Sequence, residues 1–363
     1  MKRASARDLK NALGIYFSWV ASRPFYTTLN VASYCNLSCQ GCDYPRLKED
    51  GLLPEQPTKE TLTDRFSALY RVFGSQMLSL SDYEPTTLPY LEELIEAAAQ
   101  RHSVGITTNG TLITEEMAQR FWKKGMQFAG VSLPSIHNER YQEIIGTKRY
   151  TVNDVQSSIE TLIKTGPRKL RRVSILATID NFTSPHELEE FARYATDVHA
   201  SLSFQLYSPE KKNVSNNISD EADEREIKPE TLDARFGGSL SGYILGLQER
   251  YPVIYGRSVA IKNFDTYVLE GSIPWKPRSL SLDLNGGIAL HPEGKPFAFI
   301  DSSEPHKIKN AYWGTVYNLR ANGENRADSC YRCTNVTNPS TPLGDWFVNI
   351  LTCLGLERAV RFA

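Results

Sequence analysis

Residues 25–42 read Phe-Tyr-Thr-Thr-Leu-Asn-Val-Ala-Ser-Tyr-Cys-Asn-Leu-Ser-Cys-Gln-Gly-Cys. The first eight alternate and are rich in β-formers, so Phe25–Ala32 is predicted as a strand. Cys35, Cys39 and Cys42 follow at once, in the loop after that strand, spaced C-x3-C-x2-C. They are half of the chain's six cysteines. Clustered thiolates are strong, soft metal ligands. A closed zinc site or a fully ligated iron–sulfur cluster usually takes four protein ligands. Three leave one metal position open to a substrate or cofactor. A zinc knuckle, or a cluster completed by a remote cysteine, is the other reading of the same spacing.

Outward from that run the chain keeps a β-then-α rhythm. Residues 46–58 are polar and proline-containing, hence a loop. A helix is expected at 59–73, a strand at Met77–Leu80 and a helix at 87–100. Val104–Thr107 reads as a strand ending in the turn Thr108-Asn109-Gly110. Thr114 is a helix cap, with Glu116 near the capping-box position. Strands follow at Phe128–Leu133, Arg172–Ile179 and Leu202–Leu206, with helices at 154–165, Pro185–Ala195 and 229–249. Such repetition implies a parallel sheet with right-handed crossovers. Chemistry in such folds sits at the carboxyl ends of strands. The cysteines, Glu84, Asn109 and Ser132 all fall there.

The flanks differ. Residues 5–21 read as an amphipathic helix, either covering one end of the core or, through Phe17, Trp19 and basic residues, resting on a membrane surface. After about residue 250 the rhythm breaks. Leu280–Leu284 and Ile288–Leu290 flank Asn285-Gly286-Gly287, a hairpin signal. Leu343–Phe362 has helical apolar spacing. The expected division is an N-terminal helix (1–24), a core (25–250) and a C-terminal region (251–363).

The chain's 363 residues carry a formal net charge of -1, which gives no electrostatic footprint for nucleic acid. No apolar run approaches the roughly 18 residues of a membrane span. No continuous apolar segment follows the basic N-terminus, so a signal peptide is not expected and the expected compartment is the cytoplasm. Bunched cysteines fit cytosolic metal chemistry better than a disulfide framework. No HExxH, GxxxxGK or G-x-S-x-G pattern competes.

In its context, the C-x3-C-x2-C loop resembles that of the radical S-adenosylmethionine (radical SAM) superfamily, over roughly residues 25–210. The resemblance implies an α/β fold: a partial (βα)6 TIM-like barrel followed by a small C-terminal α+β domain. It implies a 4Fe-4S cluster on Cys35, Cys39 and Cys42, whose remaining iron chelates S-adenosylmethionine. It further implies reductive cleavage of that cofactor to a 5′-deoxyadenosyl radical, which abstracts hydrogen from the substrate. Ser81-Asp82-Tyr83-Glu84-Pro85 resembles the family's Gly-Gly-Glu-Pro motif, with both glycines replaced. Glu84, and with it Asp82, would meet the cofactor's ammonium group. Gly105–Leu112 is similar to the family's third-strand ending, with Thr107 and Asn109 facing the cofactor. Ser132 resembles the fourth-strand serine that contacts carboxylate or ribose, and Thr178 and Asn181 fall at the family's ribose and methionine contacts. The aromatic residue that many members carry before the third cysteine is Gly41 here, with Tyr44 a substitute near the adenine.

The C-terminal region is similar to a reduced SPASM/twitch-like accessory domain. Cys330 and Cys333, with His291 and Cys353, would then hold a second iron–sulfur cluster or zinc; a metal-free remnant is the alternative. The resemblance implies an electron donor of the flavodoxin or ferredoxin type and a peptide, protein or small-metabolite substrate. The competing class is a non-enzymatic iron–sulfur or zinc protein that binds a partner on a degenerate scaffold of this type.

Overall fold

The computed structural model describes residues 24–166, 173–207, 224–254, 264–265, 279–290 and 296–321, with Leu13, Val268, 273–274 and 326–327. Six strands lie parallel and in chain order: β1 (Tyr26–Asn30), β2 (Met77–Ser81), β3 (Ser103–Thr108), β4 (Phe128–Ser132), β5 (Val173–Ile179) and β6 (Ser201–Leu206). Each sequential parallel pair needs a crossover, and helices supply it. In order they are α1 (Tyr44–Glu49), α2 (Lys59–Phe73), α3 (Leu91–Ala99), α4 (Glu115–Lys124), α5 (Asn138–Ile145), α6 (Val152–Thr165) and α7 (Pro185–Asp197), and α8 (Pro229–Phe236) and α9 (Leu240–Arg250) follow β6.

The two faces of the sheet have different chemistry, and this sets where a ligand can go. On β5, Val173, Ile175, Ala177 and Ile179 are buried, while Ser174, Leu176 and Thr178 are half-buried. Leu29, Leu78, Leu80, Val104, Ile106, Val131 and Leu202 are wholly buried in the main core. Each such aliphatic side chain contributes about 1.5–3 kcal/mol. The other face carries small or polar residues in register: Thr28 opposite Ser79, Ser79 opposite Gly105, Thr107 opposite Gly130. Phe128 lies opposite Gly105, and a Cβ there would sit 2.2 Å from its ring. The Phe128 ring therefore fills the amino-terminal end of that face, and the carboxyl end is left to polar groups.

Both edges of the six-stranded sheet are flanked. Leu202 of β6 donates to Val253 O at 2.8 Å and bridges Ile254. At the opposite edge the C-terminal region adds to the sheet. A short strand β7 (Ile273–Pro274) comes first; β8 (Ser279–Leu282) then pairs in parallel with β1, and β9 (Gly287–Ala289) and β10 (Ala298–Phe299) continue antiparallel. The expected hairpin is present: Asp283 Oδ1 accepts from Asn285 N and Gly287 N, each at 2.8 Å, and Gly286 takes φ +82°. Helix α10 (Pro305–Ala321) packs on α2, with the Tyr312 ring 5.5 Å from that of Phe73. Buried Arg65 of α2 donates to both carboxylate oxygens of Asp301 and to Leu284 O. β7 pairs separately with β11 (Arg326–Ala327).

The loop expected at 46–58 is shorter. Helix α1 starts at Tyr44 with Pro45 in its first turn, where a missing N–H costs nothing. The helix expected at 229–249 is two, because Gly237 and Gly238 take φ +60° and +87° and Ser239 caps the second through Gly242 N. Thr114 caps α4 through Met117 N, one residue beyond Glu116, and the complete capping box belongs to Thr151 and Asp154. The expected helices at 5–21 (Leu13 apart) and 343–362, with His291, Cys330, Cys333 and Cys353, lie outside the described residues. Among the described residues no helix is long and apolar enough to cross a membrane.

Candidate metal and cofactor site

The cysteine loop crosses the carboxyl end of the sheet and is held there by backbone bonds. Ser38 N and Gln40 N donate to Ile145 O (3.2 Å) and Ile144 O (2.8 Å) at the end of α5. That approach needs Gly146, where φ is +69° and a Cβ would lie 2.3 Å from Ser38 O. Cys42 N closes a turn on Cys39 O at 3.2 Å. Cys35 and Cys39 end half-buried and Cys42 exposed. Burial pushes the Cys35 thiol up to about 11 and the Cys39 thiol up to about 12, with neighbouring negative groups adding to both. The bare thiolates are thus disfavoured, and a bound cation is what offsets such a cost.

Glu84 braces this loop from β2. Its buried carboxylate accepts four hydrogen bonds: Thr86 N (3.0 Å), Thr86 Oγ1 (2.6 Å) and Thr108 Oγ1 (2.7 Å) on Oε1, and Asn109 N (2.6 Å) on Oε2. Burial pushes the carboxyl above its ordinary range, and the same donors pull it back. Glu84 N also donates to Tyr34 O. Asn109 then reaches the cysteines directly. Its Nδ2 lies 2.9 Å from Asn36 Oδ1 and 3.9 Å from Cys35 Sγ. Asn36, between two cysteines, extends the network to Thr111 Oγ1 and the Tyr150 hydroxyl.

Asp82 and Tyr83 take φ +72° and +39°. The backbone there keeps a left-handed path that glycine adopts without cost and other residues adopt at about 1–2 kcal/mol each. Tyr83 has a packing partner: its ring centroid is 4.9 Å from that of Tyr44. Tyr44 is only 1% exposed and also meets Tyr34 edge-on at 6.1 Å, so the structure places its ring in the core. The space beside Gly41 is filled from another direction. A Cβ on Gly41 would lie 2.0 Å from the Tyr207 hydroxyl, at the end of β6.

Of the other expected contacts, Thr107 bonds Ser79 Oγ at 2.9 Å, and Ser132 and Thr178 are half-buried on their strands. Asn181 receives the Thr231 hydroxyl on Oδ1 and donates its backbone N–H to Arg225 O. Residues not singled out from the sequence are Asn36, Tyr141, Asp180, Tyr207 and Arg225. The one signal was Gly41 itself, which left a side of the loop to be covered. Arg225 sat unmarked in a charged run.

Among the described residues no three His, Cys, Asp or Glu side chains converge as ligands of one ion. A single zinc needs its donors within about 2.0–2.3 Å of one point. A 4Fe-4S cluster takes thiolates on different irons, so its cysteines stand further apart. Two buried hydroxyls without a hydrogen-bond partner among the described residues flank the loop: Tyr44 Oη, and Tyr141 Oη, which burial and then nearby Cys39 push up. Three thiols and two idle donors fit a large sulfur-rich anionic group, while the buried Glu84 carboxylate fits a cationic neighbour of it.

This fold and site define a class. Residues 29–195 match the model of the radical SAM superfamily, so that segment is a radical SAM domain. Among curated relatives, an Fe-coproporphyrin III synthase of Methanosarcina barkeri is 33% identical over 144 residues, 38% of this chain and 35% of that protein. A GTP 3′,8-cyclase of Nostoc punctiforme is 27% identical over 191 residues, 51% of this chain and 56% of that protein. The chain thus spans about a third to a half of the curated relatives it matches. Among solved structures, anSMEcpe with bound AdoMet aligns at TM-score 0.59 and 15% identity, covering 93% of this chain and 98% of the other. Streptococcus suis SuiB aligns at 0.52 and 15%, covering 75% and 61%. These neighbours share the fold.

Proposed function

We propose that the chain holds a 4Fe-4S cluster on Cys35, Cys39 and Cys42, binds S-adenosylmethionine beside it, and abstracts a hydrogen atom from a substrate. The observation that carries this is the cysteine loop at the end of β1, braced by Glu84 and Asn109. When bound, the cluster and cofactor supply reductive cleavage of a sulfonium bond and a 5′-deoxyadenosyl radical. The chain's own residues bind, orient and exclude water. Glu84 Oε2 carries one donor and keeps acceptor capacity toward an ammonium, with Asp82 beside it in sequence. The left-handed backbone at Asp82 and Tyr83 is one that glycine, the residue of the family's motif at both positions, adopts without cost. Thr107, Ser132, Thr178 and Asn181 supply hydroxyl and amide contacts from successive strand ends. Enclosed Tyr44 acts as a wall of the site.

The chain is organised as a core barrel (25–250) between an N-terminal helix and a C-terminal region that holds the second metal, on Cys330 and Cys333 with His291 and Cys353. The substrate is a peptide, protein or small metabolite. The peptide option is supported by neighbours of this fold solved with peptides, SuiB with precursor peptide SuiA and anSMEcpe with Cp18Cys peptide. The electron comes from a flavodoxin- or ferredoxin-type donor in the cytoplasm.

Anaerobic reconstitution with iron and sulfide tests the site. Wild type should gain a broad absorbance near ~400 nm, as expected of such clusters, that shifts on S-adenosylmethionine addition, and dithionite should then yield 5′-deoxyadenosine. Cys39→Ala should lose all three responses. A Cys39→Ala protein that holds the cluster as wild type does would overturn the site. A loaded wild type that makes no 5′-deoxyadenosine would leave a partner-binding iron–sulfur protein.

A further inference from the structure

A cluster of buried charges lies beside the cysteine loop, and none of the roles above uses it. Arg225 is 8% exposed and lies 185 residues from Gln40 in sequence, yet its Nη1 donates to Gln40 O at 3.2 Å. Gln40 separates Cys39 from Gly41. The guanidinium also stacks on Tyr207, 4.2 Å from the ring centroid. That ring in turn occupies the space beside Gly41. One cation thus holds the loop twice, by its carbonyl and through the ring against its glycine.

Arg225 is itself fixed. Its Nε donates to Asp180 Oδ2 at 2.9 Å, and Arg140 Nη2 donates to the same oxygen at 2.5 Å. Asp180 is 2% exposed, and its Oδ1 accepts from Phe182 N and Thr183 Oγ1. Two guanidiniums thus share one carboxylate, with Arg225 and Asp180 buried and Arg140 partly exposed.

We propose that Arg225, clamped by Asp180, is a positioning residue for the cysteine loop: it fixes the Cys39–Cys42 turn and places a positive charge beside the site that the thiolates and their cluster occupy. The inference rests on the cluster assignment above for its electrostatic half, and on geometry alone for its positioning half. A fixed positive charge favours the more negative, reduced state of a cluster, because reduction potential follows local charge and hydrogen bonding.

The test uses the full chain with Arg225→Gln and Arg225→Lys. In the chain without cluster, hydrogen exchange reads the loop. Arg225→Gln should speed exchange across residues 38–42 while leaving the buried strands β2–β4 unchanged, and Arg225→Lys should speed it less. Unchanged exchange at 38–42 would overturn the positioning role whatever the cluster does. In the reconstituted chain, a redox titration followed by electron paramagnetic resonance reads the charge. Arg225→Gln should lower the reduced-to-oxidised ratio at a fixed potential about tenfold, which is ~59 mV for one electron. Arg225→Lys should stay within about twofold of wild type. Equal potentials for Gln and wild type would overturn the electrostatic role. A wild type that takes up no cluster would fail the cluster assignment, and the electrostatic role with it, while the exchange result still decides the positioning role.

Discussion

Gly41→Ala changes one methyl group, and the structure says where it goes. The new Cβ would stand 2.0 Å from Tyr207 Oη and 2.7 Å from Tyr207 Cζ. Contact at that distance requires movement, and the ring has little room. Tyr207 is 6% exposed and Arg225 lies over its face. Displacing a packed side chain costs about 1–3 kcal/mol. The backbone adds its own penalty, because φ at Gly41 is +74° and alanine there costs about 1–2 kcal/mol. The expected loss is about 2–5 kcal/mol. Urea unfolding of wild type and variant measures it. A double-mutant cycle with Tyr207→Ala isolates the clash, since in that background only the backbone term of about 1–2 kcal/mol remains. The reasoning is wrong if Gly41→Ala unfolds with wild type, or if its penalty is the same with Tyr207 removed.

Glu84→Gln keeps the shape of the brace and turns one acceptor into a donor facing Thr86, Thr108 or the Asn109 N–H; a stability loss of about 1–3 kcal/mol is expected by denaturant titration. His102 is buried, accepting from Gln76 N and bonded to Phe66 O, and burial pushes it down to about 4. Its folded value lies below the unfolded 6.5, so the native state binds fewer protons. Stability is full above pH 6.5 and falls as pH drops toward 4, by about 3 kcal/mol in all. His102→Gln should flatten that part of the profile, and an unchanged acid slope would refute the assignment. Arg65→Ala strips Asp301 and Leu284 O of their partner. A loss of about 2 kcal/mol should appear with faster proteolysis around residues 283–301.

The fold was legible because parallel βα units leave a strong local trace. Apolar runs of strand length alternate with segments of helical period, and each strand needs a crossover before the next. The shorter α1 and α5 left too little period to read, and Gly237-Gly238 divided a helix whose two halves look alike in composition. The cysteine spacing pointed to the metal because all its ligands lie in one loop. Glu84 and Asn109 were legible for the same local reason: each lies within three residues of a strand's end.

Other parts of the site had no local trace. Tyr44 was expected as a substitute aromatic near the adenine, and Tyr34 and Tyr83 enclose its ring. The replacement of two glycines at Asp82 and Tyr83 looked like a broken motif, yet the backbone keeps positive φ at both. Only a fold that fixes both ends of that turn can impose such angles on residues that resist them. Arg225, Asp180, Arg140 and Tyr207 meet the cysteine loop across large separations in sequence. The sequence by itself determined the strand order, the sheet's parallel sense and the cysteine loop, since hydrophobic period and ligand spacing are short-range properties. The tertiary structure alone decided which side chains brace that loop, which ring fills the space at Gly41, and where a buried positive charge sits, because those contacts arise only once the strand ends have been brought together.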